Sequence, residues 1–305
     1  MTVSTQSARP QTPFRRALRS FLEQRTSRVG LSLLAVLVIA ALGADLFASY
    51  SPIDVLIDEE PGAVRLAGPC INLLGCEGPQ HIFGLDSNVR DVFSRVLHGA
   101  RLSLQVGFLT VGFAIVLGSL IGAVSGFVGG RVDNFFMRIM DVLLAFPSLL
   151  LAIAIVTVIG PGLINTQLAI GIVAIPIYAR VMRASVLSLR DREFVAASRA
   201  LGASEASILF RKVLPNALTP IIVQGTLGIG GAILDVAALS FLGLGAQPPT
   251  AEWGSMIGAD RNLLFSSPHV VIFPGIAITM TVLAFNLVGD GLRDALDPRL
   301  QREWA

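Results

Sequence analysis

Charge is scarce in this chain. Asp, Glu, Lys and Arg make up 14% of its 305 residues, where a soluble domain carries about 25%. Lysine is almost missing, since of 23 basic residues only Lys212 is one. A net charge of +2 supplies no concentrated basic face, so no nucleic-acid partner is expected. The two cysteines, Cys70 and Cys76, are too few for a disulfide framework or a zinc site. The three histidines, His81, His98 and His269, lack metal-ligand spacing. They read as interfacial or surface side chains, and no metal or cofactor is expected. A G-x-x-x-x-G-K-[ST] phosphate loop is absent, because Lys212 follows Arg211 with no glycine-rich run before it. A G-x-S-x-G elbow and a Cys–His pair are absent too. No catalytic residue is assigned, and any ATP hydrolysis must come from a partner.

Apolar residues are plentiful. They form 53% of the chain, and the mean hydropathy is +0.72. Crossing about 30 Å of hydrocarbon takes about 20 mostly apolar residues. Six stretches qualify: Val29–Phe47, Leu102–Val128, Phe135–Ile159, Gln167–Leu187, Ala217–Leu244 and Val270–Val288. The expected fold is an all-α, polytopic membrane helix bundle. Basic residues gather in alternate segments: the tail before the first span, the second–third and fourth–fifth connections, and the tail after the sixth. By the positive-inside rule these share the cytoplasmic side, which puts both termini there. The expected divisions are a cytoplasmic tail at 1–28, a membrane domain at 29–290 and a cytoplasmic tail at 291–305. An external loop occupies 50–99 and a cytoplasmic loop 188–215. The first apolar run lies behind a basic tail and is too long for a signal h-region, so it reads as a retained anchor.

Within the N-terminal tail, Phe14, Ala17, Leu18, Phe21 and Leu22 fall on one helical face with Arg15, Arg16 and Arg19 largely opposite. That pattern suits a helix lying on anionic membrane lipid. Gly118, Gly122 and Gly126 repeat every four residues, which lets helix backbones approach closely. Asp235 stands inside the fifth stretch, where a carboxylate costs about 2.5–3.5 kcal/mol on insertion scales. It is expected to line a translocation path or to bond a group within the bundle. Ser240, Phe241 and Gln247, near the outer end of the same stretch, are further path candidates, with Phe241 also explicable as packing. Pro147 is expected to bend the third span. Cys70 and Cys76 lie in the external loop, where an oxidising compartment favours a disulfide. The Trp253-Gly254 pair is expected in an external turn, and isolated histidines and a single deep carboxylate offer no paired charges of the kind an ion-coupled carrier uses.

The fourth–fifth connection is the most informative soluble stretch. Asp191 can cap a short helix, Gly202 can end it in the left-handed conformation, and Ser204 can cap a second helix that Pro215 interrupts. Phe194, Ala197 and Leu201 then share one face. Gly202 followed by Leu214-Pro215 resembles the EAA loop of ABC importer permeases. Ala197, Gly202, Leu214 and Pro215 match that motif strictly. Its Glu falls at Ala196, its second Ala at Ser198, and Glu193 lies three residues upstream. Further runs resemble peptide-importer permeases: Asp86…Arg90-Asp91…Arg95, Gly129-Gly130-Arg131-Val-Asp133…Pro147, Leu239-Ser-Phe-Leu-Gly-Leu-Gly245 and Phe285-Asn-Leu-Val-Gly-Asp290…Asp297-Pro298-Arg299. Together they resemble the C-type permease of dipeptide and oligopeptide importers, with Ile-Leu-Asp235 most similar to the dipeptide branch.

The resemblance implies a type I-like permease fold in the bacterial cytoplasmic membrane. It also implies a heterodimer with a homologous B-type permease, two ABC ATPase subunits below, and an extracytoplasmic substrate-binding protein above. Glu193, Ala197, Gly202, Leu214 and Pro215 would belong to the ATPase-coupling loop, and transport would proceed by alternating access. Competing readings are the same machine with nickel chelate, haem or oligosaccharide as cargo, or an ion-coupled secondary transporter.

Overall fold

The computed structural model describes residues 19–57 and 60–296. Its frame is helical, and no β-strand occurs among the described residues, only two isolated bridges in the segment before residue 92, Cys70 with His81 and Leu85 with Asp91. Helix α1 spans Arg25–Leu42, α2 Val92–Val128, α3 Gly130–Leu144, α4 Ser148–Ile159, α5 Leu163–Arg190, α6 Glu193–Ala200, α7 Glu205–Phe241, α8 Trp253–Asp260 and α9 His269–Leu296. Helices α1, α2, α5, α7 and α9 are each long and apolar enough to cross a membrane.

The longest helices overrun the bilayer. At 1.5 Å per residue, the 37 residues of α2 extend about 55 Å, well beyond about 30 Å of hydrocarbon. The stretch expected as loop up to residue 99 is already helical from Val92. Likewise α9 runs to Leu296, so the C-terminal tail begins as helix. The interfacial helix expected in the first tail lies mostly outside the described residues. Of its apolar face, Phe21 is buried and Leu22 exposed, and residues 19–23 are helical. The Phe21 ring lies beside Gly291 of α9, so that residue packs on protein.

The centre of the bundle is the pairing of α2 with α5. A side chain at Gly118 would lie 2.7 Å from the Ile175 carbonyl, and one at Gly122 would collide with the Ala179 carbonyl. The four-residue glycine repeat lets the two backbones touch, the mode of packing that holds membrane helices together without a hydrophobic driving force between them. A core of Leu104, Val111, Tyr178, Ile229, Ile233 and Trp253 continues outward from this seam.

The third stretch is not one rod. It is α3 and α4, bent by 92°. The break falls at Pro147, which has no N–H to donate and disfavours helix in the residue before it. Ala145 N–H closes α3 on Asp141 and Val142, and Leu151 N–H restarts the ladder on the Pro147 carbonyl. The amphipathic α3 is fastened to α5 by charge. Arg183 grips Asp133 through two bonds of 2.5 and 2.6 Å, and Arg180 bonds Asp141 at 2.6 Å. Bidentate guanidinium–carboxylate pairs are the strong form of this interaction.

Four local expectations are corrected. Asp191 does not begin the short helix. It ends α5, and the N-cap of α6 is Arg192, without a side-chain cap bond. Pro215 interrupts nothing, because Leu209–Val213 widen into a π-helical turn just before it and α7 runs on. The wider turn accommodates a residue that cannot donate to the ordinary ladder. Trp253-Gly254 is the start of α8, where the Gly254 and Ser255 amides donate to the Glu252 carboxylate at 2.9 and 2.8 Å. His81 and His269 are buried. His81 bridges Asp91 and Glu60, 3.0 Å from each, and His269 Nε2 sits 3.1 Å from the Leu85 carbonyl oxygen. Partners supplied by distant sequence draw both rings inside.

The segment between α1 and α2 is thus folded. Leu56, Leu85 and Val89 form a small core, Tyr50 donates its hydroxyl to Glu60 at 3.0 Å, and Cys70 and Cys76 are disulfide-bonded across 5.6 Å of Cα separation. Arg90 pairs with Asp86 at 2.8 Å. Arg95 donates to the carbonyls of Pro52 at 2.6 Å and Pro249 at 3.2 Å. The Asp86…Arg90…Arg95 run therefore sews the α1–α2 and α7–α8 connections together.

Candidate functional site

Two regions concentrate the unusual features, one at the ends of the long helices and one between them. The first is the knob formed by α6 and the turn into α7. Gly202 has φ +78°, a left-handed conformation that glycine adopts without steric cost. Its amide and that of Leu201 close α6 on Arg199 and Ala197. Ser204 accepts from Ser207 N–H at 3.4 Å to start the next helix, and Arg199 clasps Glu205 at 2.8 and 3.0 Å across the turn. The inner face is locked down: Val195, Ile208 and Val213 are fully buried against Ala123, Met182 and Val186 of α2 and α5. The outer face is bare. Phe194 is 38% exposed and Leu201 87%, and Ala197 and Glu193 are exposed beside them. Leu214 is half-buried and Pro215 exposed at the root.

The knob is therefore a stiff projection with an apolar tip. Val195 fills the core beneath it, in one cluster with residues of α2, α5 and α7.

The second region is a cavity of about 120 Å³ between α4, α5 and α7. Ser148 and Ala152 of α4, Ile170, Ala174 and Ile177 of α5, and Asp235 of α7 line it. Asp235 is half-buried and has no hydrogen-bond or ion-pair partner among the described residues. A buried carboxylate without a partner carries an uncompensated desolvation cost. The bend at Pro147 is what opens this space, since α4 begins at its rim.

The other path candidates lie elsewhere. Ser240 is buried and accepts from Ala246 N–H at 3.2 Å. Gln247 donates to the Gly243 and Gly245 carbonyls at 3.0 Å each. Phe241 is 37% exposed with the Arg261 guanidinium 5.9 Å above its ring. All three shape the turn after α7 and do not meet Asp235. One residue escaped the sequence reading. Tyr178 of α5 is 2% exposed, packs against α7 at Gly228, and has no hydrogen-bond partner among the described residues. A tyrosine between Ile177 and Ala179 reads as packing, and only its orphaned hydroxyl marks it.

In and beside α8, Glu252 and Asp260 are both buried, and burial pushes both carboxyl pKa values up. For Glu252 the opposing pull comes from the two amides it accepts. For Asp260, Ser87 pulls downward while the neighbouring Asp86 adds to the rise. One Asp260 oxygen, Oδ1, is left without a partner.

Comparison with known proteins places this architecture. Residues 114–302 match the family described as binding-protein-dependent transport system inner membrane component. Residues 12–69 match the N-terminal TM domain of oligopeptide transport permease C. A dipeptide transport system permease protein from Alkalihalophilus pseudofirmus is 46% identical over 95% of this chain and 91% of its own. A di/tripeptide transport system permease protein from Pseudomonas aeruginosa is 45% identical over 95% and 93%. A glutathione transport system permease protein from Escherichia coli O157:H7 is 43% identical over 95% and 92%. An inward-facing structure of the MetNI methionine ABC transporter shares the fold, with a TM-score of 0.55 at 18% identity over 67% of this chain and 97% of that one. The chain is thus a multi-pass membrane protein that belongs to the binding-protein-dependent ABC importer permeases, in the C-type branch of the dipeptide and oligopeptide systems.

Proposed function

We propose that the chain is one of two translocating subunits of an importer that carries short peptides into the cytoplasm. Both termini and the knob face the cytoplasm. A homologous B-type permease completes the conduit, two ATPase subunits bind below, and an extracytoplasmic binding protein delivers cargo from above. ATP-driven closure of the ATPases moves the knob and opens the path outward. Hydrolysis resets it inward. Relatives named for dipeptides, di/tripeptides and glutathione have short peptides as their common cargo chemistry, which favours peptides over chelates, haem or sugars here. Asp235, unpartnered in its cavity, is the path residue that would meet a peptide's ammonium group.

The observation that carries this reading is the knob, with a buried base on Val195, Ile208 and Val213 and an exposed apolar tip on Phe194, Ala197 and Leu201. A free apolar tip on a rigid mount fits a groove in a separate protein. The test is affinity purification of the tagged chain in mild detergent. A nucleotide-binding subunit is expected to co-purify, and Leu201→Asp is expected to release it while the chain stays in the membrane. Recovery of no nucleotide-binding protein with the unaltered chain would reject the reading.

A further inference from the structure

We propose that the cavity beside Asp235 is a side-chain pocket for the first residue of the transported peptide, and that it favours medium-sized aliphatic side chains. This rests on the peptide-import reading above and adds a selectivity to the contact with Asp235.

The lining of the cavity divides by burial. Ala152 and Ile170 are buried and form its floor. Leu149 and Ile177 are exposed and form its rim. Only two polar side chains reach it, Ser148 and Asp235. Ser148 is exposed at the start of α4. Asp235 is half-buried on α7 and has no partner among the described residues. An apolar hollow with a small number of polar groups on its wall is the usual form of a small-molecule site. The polar group fixes orientation, and the hollow supplies the burial.

The ligand that fits this combination is an ammonium group carrying an apolar branch. An unpaired carboxylate in an apolar surround favours a cationic donor, and it repels the carboxylate at a peptide's other end. In the first residue of a peptide, the ammonium nitrogen and the side chain leave the same carbon atom. Pairing of the ammonium with Asp235 therefore holds that side chain at the same cavity, whatever the length of the peptide. The volume of about 120 Å³ sets the size. An apolar cavity of about 150 Å³ takes up benzene, so this one suits a Val or Leu side chain better than the larger indole of Trp. A charged first side chain would meet no counter-charge there except Asp235 itself, which the ammonium already occupies.

The test compares Leu-Ala with Ala-Leu, two peptides of one composition that differ only in which side chain comes first. Ser148→Cys changes one atom at the rim, and the native cysteines are bonded to each other, so the introduced thiol is the one free thiol of the chain. The complete transporter is placed in nanodiscs without its binding protein, and modification of that thiol by methyl methanethiosulfonate is followed by the mass of this chain. Leu-Ala is expected to slow the reaction at about tenfold lower concentration than Ala-Leu, within the range that burying a Leu side chain yields. Adding Asp235→Asn is expected to abolish protection by both. Protection at equal concentrations, protection by neither, protection that survives Asp235→Asn, or a thiol that stays unreactive without peptide would each overturn the pocket. With binding protein and ATP restored, failure of the unaltered transporter to import either peptide would instead overturn the peptide reading itself.

Discussion

At the scale of single residues, the structure turns on polar groups held where water cannot reach. Asp260 shows what that does to pH dependence. Burial raises its carboxyl pKa, so the folded protein holds this proton to a higher pH than the unfolded chain does. Stability from this site is then complete below the unfolded pKa and is lost as pH rises through the folded one. Asn cannot ionise and keeps the shape. Asp260→Asn is therefore expected to raise the unfolding temperature of the purified protein at neutral and alkaline pH, with the gain shrinking as the pH falls into the acidic range. A gain that grows in acid would reverse the assignment. Much at this scale was not legible in the sequence. His81 reads as a surface residue because its partners, Glu60 and Asp91, stand 21 and 10 residues away. Tyr178 is silent because only tertiary packing shows its hydroxyl to be alone. Asp235 was legible, since a lone carboxylate in an apolar stretch is conspicuous without any structure.

At the scale of elements, backbone contact between α2 and α5 sets the architecture. Replacing Gly122 forces a side chain into the Ala179 carbonyl, and neither backbone can yield without parting the helices. Gly122→Leu is expected to destabilise by at least about 1–3 kcal/mol, the ordinary range for overpacking. Thermal unfolding in detergent reads this, and Gly112→Leu, where nothing lies within 4 Å of the added group, is the control. The glycine repeat was visible in the sequence because spacing alone puts three small residues on one face. The knob was visible for the same reason, since Gly202 and Ser204 act locally. The 92° bend was half visible. Pro147 announces a break, but the angle depends on Arg183 and Arg180 holding α3 by Asp133 and Asp141, which no local pattern specifies. The start of α6 was misplaced by one residue because Asp191 suits a cap as a residue type, yet α5 continues up to it.

At the scale of the whole molecule, the proposed orientation can be read directly. The native cysteines are bonded to each other, so an introduced Leu201→Cys is the one free thiol. An impermeant maleimide is expected to label it in inside-out vesicles and not in intact cells. Labelling from outside would invert the topology and detach the knob from any cytoplasmic motor.

The seamless passage from Glu205 to Phe241 has a mechanical result. Because the wide turn at Leu209–Val213 replaces a break, the stretch from Leu214 to Asp235 is one helical arm of about 30 Å. A swing of roughly 10° at its base displaces the far carboxylate by about 5 Å over that arm. In the proposed transport cycle, a small rocking motion at the knob would thereby be magnified at Asp235.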